Sequence, residues 1–508
     1  MESFFTKNFA SLSEKELEDC SLLYSENYGK YSGVDDRSKK GKAIKMSAPL
    51  YKRLYGGNKN LFISMCHDSN GKLLGHAIFL KKDIPGKGPC SWVLQLIVHR
   101  QYRNRKIGSK LLQSAWGFSN YYAWGLATAN AITLKTLESV TWREISVDYI
   151  SKNISVLENL MEDVPFVTKG SVKLNRSTSQ VFSNFYPELE SSNQSKDLQV
   201  YARRLGKLKP GNEWLAFTFR DQKMSWTEEK FNRFLKFSEQ QLKDAYSRME
   251  MPSQPWTRGT ANEIDFILKT VPLENGSKIL DLGCGQGRHS IELAKRGFIN
   301  VTGVDFAERN IDSAKRTAVA EGAYCNFING DARSFSTGKD FKYNCVLCLY
   351  DVIGSFRDES ENGRILKNIK QLLAPGGRAV ISVMNMEMTR LVATNKVSLK
   401  KNPQALLALP PSETMKSSGN VFNPEYFLIN TDDGVVYRKE QFSGDGYILA
   451  EYVVADRRYT MKQIKEFVQK FGFKITEARY VQAGKWDAPL KATDARAKEI
   501  LLVLENLL

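Results

Sequence analysis

The chain has 508 residues, more than one hydrophobic core organises, so roughly two to four domains are expected. Hydrophobic residues at 42% and charged residues at 25% are ordinary for a globular protein, and no apolar run approaches the ~20 residues that span a bilayer. The start, Met1-Glu2-Ser3-Phe4-Phe5-Thr6-Lys7, lacks a secretory pattern, and seven scattered cysteines form no disulfide framework, so no membrane partner and a cytoplasmic chain with free thiols are expected. Of the net charge of +17, twelve positive charges fall in residues 1–250. That excess suits nucleic acid, the phosphates of a cofactor, or a plain solvated basic surface.

In chain order, Leu61 to Met65 and Leu73 to Leu80 read as a hairpin across Ser69-Asn70-Gly71-Lys72. Ser91 to Val98 is a strand leading into His99-Arg100-Gln101-Tyr102-Arg103-Asn104-Arg105-Lys106-Ile107-Gly108-Ser109, whose latter part opens a helix. Backbone N–H groups at that helix start, with Arg103, Arg105 and Lys106 around them, make a pyrophosphate cradle. Trp124 to Asn130 is a further strand, followed by a helix from Ala131 to Leu137. Residues 141–220 carry no recognised pattern.

The run Arg103-x-x-Lys106-x-Gly108 resembles motif A of the GNAT acetyltransferases, Arg/Gln-x-x-Gly-x-Gly/Ala, with lysine in place of the first glycine. The resemblance covers about residues 55–140. It implies a mixed sheet with helices that binds acetyl-CoA, or another acyl-CoA, through Ile97, Val98, Arg103, Arg105, Lys106, Gly108 and Ser109. Asn130 is then the residue at the pantetheine arm. No general acid or base is assigned.

Two polar stretches read as linkers, Glu190-Ser191-Ser192-Asn193-Gln194-Ser195-Lys196 and Met251-Pro252-Ser253-Gln254-Pro255. Between them a helix is predicted from Ser225, capped by that serine with Glu228 three residues on, to about Met249. The domain boundary is expected just before it, giving domains 1–224 and 225–508.

Lys278 to Leu282 is a short apolar strand that runs into Gly283-Cys284-Gly285-Gln286-Gly287-Arg288-His289 and then a helix. Glycines let the backbone approach a ligand at the C-terminal edge of a parallel sheet. A dinucleotide turn reads G-x-G-x-x-G, whereas Gly287 comes one residue earlier here. Asn300 to Asp305 is a second strand ending in an acid, 24 residues after Asp281, near the ~20 expected of a ribose-binding carboxylate. Phe327 to Ala332, Phe341 to Tyr350 and Arg378 to Val383 follow as strands, the last after Pro375-Gly376-Gly377. Cys345 and Cys348 fall inside an apolar strand and read as core residues. Strands alternate with helical segments, which predicts an α/β doubly wound parallel sheet.

This order of motifs resembles the class I S-adenosylmethionine-dependent methyltransferases, closely over residues 256–385. The resemblance implies a Rossmann-like sheet that binds S-adenosyl-L-methionine. Asp281, Gly283, Gly285 and Gly287 are then at the methionine end, Asp305 on the ribose, and Asp331 with Ala332 by the adenine. Arg258 is a candidate for the cofactor carboxylate and His289 for the site wall. A lid insertion is expected over about 386–456, with a hairpin pairing Val435–Tyr437 with 447–454. Tyr350, Asp351, Tyr452 and Arg457 are candidate acceptor-binding residues.

The leading expectation is a bifunctional enzyme acting on a small molecule, methylating N or O in one domain and N-acylating in the other. Two alternatives stand beside it. One is a nucleic-acid-modifying methyltransferase with a basic N-terminal domain; the other is a methyltransferase with a non-catalytic acyl-CoA-sensing module. The sequence names neither the acceptors nor an oligomeric state.

Overall fold

A computed structural model describes residues 2–167, 170–188, 196–246, 254–338, 341–412, 421–441, 443–444, 447–448 and 451–507. The linker expected at 190–196 lies outside them except for Lys196. Residues 251–253 of the second linker and the predicted helix end at 247–249 also lie outside. Two compact units emerge, Met1–Phe237 with Gln441–Tyr452, and Ser238–Glu440 with Val453–Leu508. Among the described residues, no helix is long and apolar enough to cross a membrane.

The first unit is built on strands β1 (Ser3–Asn8), β2 (Leu61–His67), β3 (Leu73–Ile84), β4 (Gly88–Val98), β5 (Ala123–Thr128), β6 (Val172–Asn175), β7 (Thr178–Phe182) and β8 (Asn212–Phe219). They form one sheet in the order β1-β2-β3-β4-β5-β8-β7-β6. Only β4 and β5 pair in parallel. Its helices are α1 (Glu14–Asn27), α2 (Ala48–Tyr55), α3 (Ile107–Trp116), α4 (Ala131–Thr141), α5 (Val147–Lys152), α6 (Ile154–Met161) and α7 (Lys196–Leu205). The segment 141–220, unreadable in the sequence, supplies the strands that close the sheet beyond β5.

Helix α8 (Glu228–Tyr246) begins later than the sequence suggests. Thr227 Oγ1 accepts from the Lys230 N–H, while Ser225 donates from its N–H and hydroxyl to the Trp142 carbonyl. Thr227 is therefore the cap, because Ser225 is held by the preceding chain. Phe231 and Phe234 pack their rings on Trp142. The first turns of α8 thus belong to the first unit, and the division falls after Phe237 rather than before 225.

The second unit contains α9 (Thr260–Thr270), β9 (Lys278–Leu282), α10 (Arg288–Lys295), β10 (Asn300–Asp305), α11 (Glu308–Ala320), β11 (Asn326–Asn329), β12 (Tyr343–Cys348), α12 (Glu359–Leu372) and β13 (Leu373–Met384). The insertion follows, with α13 (Met386–Val392), β14 (Lys396–Val397), α14 (Gln404–Ala408), β15 (Pro411–Ser412), β16 (Phe427–Asn430), β17 (Val436–Glu440), β18 (Ser443–Gly444), β19 (Tyr447–Ile448) and β20 (Tyr452–Asp456). The chain ends with α15 (Met461–Lys470), β21 (Phe473–Gln482), β22 (Lys485–Leu490) and β23 (Glu499–Asn506).

The main sheet runs β11-β10-β9-β12-β13-β23-β21-β22. Its first five strands are parallel and the last three antiparallel. Connections leave β9 in one direction and β12 in the other, which opens a crevice beyond their C-terminal ends. Cys345 and Cys348 are fully buried in two cores, one on each face of β12.

In the insertion, β17 pairs with β16 across the turn Asn430-Thr431-Asp432-Asp433-Gly434, where Gly434 has φ +69°. The expected partner segment is divided: β20 lies on the other edge of β17, and β18 pairs with β19. The Asp-rich, glycine-ended turn is a stronger hairpin signal than the later apolar run.

Candidate cofactor sites

At the crevice of the second unit, three residues after β9 carry positive φ, and all are glycine: Gly283 (+89°), Gly285 (+54°) and Gly287 (+81°). A Cβ at Gly283 would stand 2.3 Å from Val352, and one at Gly287 would stand 2.7 Å from Phe327. Neither position therefore accepts a side chain, and the turn is held in place by backbone donors, Gly283 and Cys284 to the Val304 carbonyl and Gly287 to the Cys284 carbonyl. Asp305, at the end of β10, accepts from the Gly285 N–H at 3.0 Å, the Ala307 N–H at 2.9 Å and Asn310 Nδ2 at 3.2 Å. The acid expected on the ribose is thus anchored to the loop expected at the methionine end. Burial raises its carboxyl, against those three donors. Asp281 is buried under the turn, where its Oδ2 accepts from the Ser290 hydroxyl at 2.8 Å.

Asp331 follows β11 and is paired with Arg333 at 2.6 Å. Ala332 beside it gives its carbonyl to Asn368 Nδ2. Arg258 is exposed, and Arg288 is the cation placed beside the turn. His289 is buried at the start of α10.

Both residues converge on an acid that the sequence reading passed over. Glu263, fully buried on α9, accepts at Oε2 from Arg288 Nη1 and from His289 Nε2, each at 2.7 Å. Its Oε1 accepts from the Tyr350 hydroxyl and from the Gly484 N–H at 2.8 Å. Burial opposes the charge, but the His289 hydrogen bond and the neighbouring cation overcome it and hold the carboxyl at about 2. Arg288 stacks over the Tyr350 ring at 4.4 Å, and Trp256 packs on the same tyrosine at 5.0 Å. The signal available in the sequence was a glutamate beside Ile264 and Ile267 in the apolar stripe of α9.

Tyr350 (φ +58°) and Asp351 (φ +65°) follow β12 as consecutive left-handed residues, the kind of backbone that persists where surrounding structure enforces it. Arg457 donates from Nε to the Arg357 carbonyl at 2.9 Å. Tyr452 belongs to the other compact unit. It is fully buried in the first unit, with its hydroxyl 3.4 Å from the Ser114 carbonyl and its ring near Phe237. Tyr452 is therefore a core residue there.

In the first unit, the β3–β4 ladder shifts register, with Ile78 opposite Gln95 and Phe79 opposite Val93, so Leu94 is an extra residue. Pairing of β4 with β5 runs only from Cys90/Ala123 to Val93/Leu126. Beyond the bulge the two strands part, and Ala127 and Thr128 pair with β8 alone. Bulges of this kind end pairing and open a wedge. Ile97 and Val98 lie on the parted length of β4.

Helix α3 starts at this wedge. A Cβ at Gly108 would be 3.8 Å from Leu96 and from Val98, an ordinary contact, so packing does not require this glycine. Ser109 is half-buried beside it. Lys106 caps the helix at φ +62°, the backbone that a glycine would adopt freely. Arg103 is engaged with backbone carbonyls. Its Nε donates to the Val98 carbonyl and its Nη2 to the Asn27 carbonyl at 2.6 Å, bracing the loop against α1. The exposed Arg105 and Lys106 flank the helix start. Asn130 caps α4, accepting from the Ile132 N–H at 2.9 Å.

Comparison with known proteins agrees with both halves. Residues 279–377 match the family described as a methyltransferase domain, and residues 34–120 match the GNAT acetyltransferase family. A protein of Geobacillus sp. (strain WCH70), named as a methyltransferase, is 23% identical over 41% of this chain and 79% of its own length. The ubiquinone biosynthesis O-methyltransferase of Rickettsia canadensis is 28% identical over 31% of this chain, and that of Coxiella burnetii (strain Dugway 5J108-111) 34% identical over 24%. The chain spans 62% and 49% of the length of those two enzymes. Among solved structures, the CcbJ methyltransferase from Streptomyces caelestis aligns over 52% of this chain and 98% of its own at 16% identity, with a TM-score of 0.39. The chain thus joins a GNAT-family domain to a domain of the S-adenosylmethionine-dependent methyltransferases.

Proposed function

We propose that this chain is a bifunctional group-transfer enzyme acting on small molecules. The second unit moves a methyl group to nitrogen or oxygen, and the first moves an acyl group from an acyl-CoA to nitrogen. The observation that carries the methyl-transfer reading is the side-chain-free positions of the glycine turn, tied to Asp305 at the switch point of the sheet. S-adenosylmethionine supplies an electrophilic methyl on a sulfonium. The protein's share is to hold it, exclude water and align the acceptor. Gly283, Gly285 and Gly287 let the backbone approach the methionine end, and Asp305 presents its carboxylate to the ribose. The acyl-transfer reading rests on the wedge between β4 and β5 with the start of α3 at its edge.

Isothermal calorimetry with S-adenosylhomocysteine and with acetyl-CoA tests both readings. Asp305→Ala should abolish only the first, and Arg105→Ala with Lys106→Ala should weaken only the second. Absence of either wild-type binding removes that half of the proposal.

A further inference from the structure

The nature of the methyl acceptor is written in two carboxylates at the crevice of the second unit. Strand β23 alternates in burial partners: Ile500, Leu502 and Leu504 join the core with α15, and Leu501 and Val503 join the core with Tyr350 and Trp486. Glu499, two residues before Leu501, shares the Tyr350 face. Its register partner is Met384, at the end of β13, so it lies at the ligand edge of the sheet. Ser382 links the two residues. Its hydroxyl oxygen accepts from the Tyr350 N–H at 2.7 Å and is hydrogen-bonded to Glu499.

Glu499 Oε2 and Asp351 Oδ1 are both shut from solvent and have no hydrogen-bond partner. The surrounding cations are engaged with other acids. Arg288 is paired with Glu263, Arg438 with Glu440 and Asp456, and Arg458 with Asp456. Arg438 and Arg458 favour the charge of Asp351, but burial and the repulsion of Asp456 and Glu499 outweigh them and push its carboxyl well up. Burial likewise raises Glu499 to about 7, with Glu263 adding repulsion and Ser382 and Arg288 opposing it.

Unpaired buried carboxylates are costly, so an uncompensated pair at a ligand edge calls for a cation from outside. A metal ion is not what they fit. No group of three or more His, Cys, Asp or Glu among the described residues is placed to hold one. An organic ammonium can donate one hydrogen bond to each carboxyl group and brings a positive charge, whereas a neutral hydroxyl acceptor brings none.

We propose that the second unit methylates an amine whose cationic nitrogen binds at Glu499 and Asp351, and that Glu499 takes the nitrogen's proton. This rests on the methyl-transfer reading above. The N–H bond breaks with its proton passing to the Glu499 carboxylate. The freed nitrogen pair forms the N–C bond as the C–S bond breaks, leaving its electron pair on sulfur. The products are the N-methylammonium ion and a neutral thioether, and the proton on Glu499 then leaves to water.

The test is calorimetry on the full chain. S-adenosylhomocysteine is titrated first, then cyclohexylamine and benzylamine against cyclohexanol and benzyl alcohol at saturating homocysteine compound. Amines should bind and alcohols should not, with amine binding rising as pH passes about 7. Glu499→Gln should weaken amine binding at least tenfold and abolish that pH dependence, while the S-adenosylhomocysteine Kd stays within twofold. Asp351→Asn should weaken it less. Thermal melts at pH 8 exclude misfolding, because Glu499→Gln removes an unpaired charge and should raise Tm. Equal binding of alcohols, no binding of amines, or unchanged amine binding in Glu499→Gln overturns the proposal. Failure of S-adenosylhomocysteine to bind the wild type overturns the methyl-transfer reading instead, and the amine titration alone still reads Glu499.

Discussion

The two cofactor turns solve one problem with different residues. After β9, every positive-φ position is a glycine, and at Gly283 and Gly287 a side chain would collide with packed neighbours. Before α3, the positive-φ positions are Asn104 and Lys106, while the nearby Gly108 has room for a side chain. In the second unit, glycine is demanded by the fold itself. In the first, the fold tolerates side chains at the turn, and the one glycine that remains is free of any packing demand.

The sharpest break of this comparison is Gly287→Ala. Its Cβ would stand 2.7 Å from Phe327 and 3.0 Å from the Ala314 Cβ, at φ +81°. Strain and overpacking together should destabilise the second unit by roughly 2–4 kcal/mol. S-adenosylhomocysteine binding should disappear. A denaturant melt with calorimetry reads both, and a variant that binds normally would show that the turn yields.

The units should also differ in how acid unfolds them. His76 in the first unit is fully buried, and desolvation lowers it from 6.5 to about 4 despite a hydrogen bond to Gln95. A depressed pKa contributes stability that is complete above 6.5 and lost as pH falls through 4. Glu263 in the second unit, lowered from 4.5 to about 2, contributes stability complete above 4.5 and lost toward 2. Each shift corresponds to a contribution on the order of 3 kcal/mol. Melts followed from pH 7 to pH 2.5 should lose the first unit at higher pH than the second. His76→Gln should flatten the upper step. Glu263→Gln should instead destabilise the second unit at neutral pH, leaving Arg288 buried without its partner.

The same contrast explains what the sequence disclosed. The order of strands and acids from Lys278 to Asp331 was readable because sterics fix glycine at the turn and the sheet places an acid after each strand. Glu263, Ser382 and Glu499 escaped notice because they come from α9, β13 and β23, remote in sequence, and only the sheet register joins them. Chain order alone put Tyr452 in the lid, whereas packing puts its ring by Phe237. Arg103 fitted a motif by spacing, and only the α1 carbonyl at Asn27 reveals its bracing role. The wedge between β4 and β5 depends on a one-residue bulge at Leu94, which leaves no mark in composition or periodicity.

The smallest effects sharpen the comparison at the first turn. Lys106→Gly relieves a left-handed lysine but loosens the unfolded chain, so the net change in stability should be within about 1 kcal/mol. Gly108→Ala is more informative. Its Cβ fits at 3.8 Å from Leu96 and Val98, and alanine is favoured over glycine within a helix, so stability should rise by about 0.5–1 kcal/mol. If the start of α3 receives the diphosphate of an acyl-CoA, the added methyl stands between backbone and ligand, and acetyl-CoA binding should fall at least tenfold. Stability and binding then move in opposite directions, which a packing role for Gly108 does not produce. Unchanged binding in the stabilised variant would mean that the glycine serves neither the fold nor the ligand.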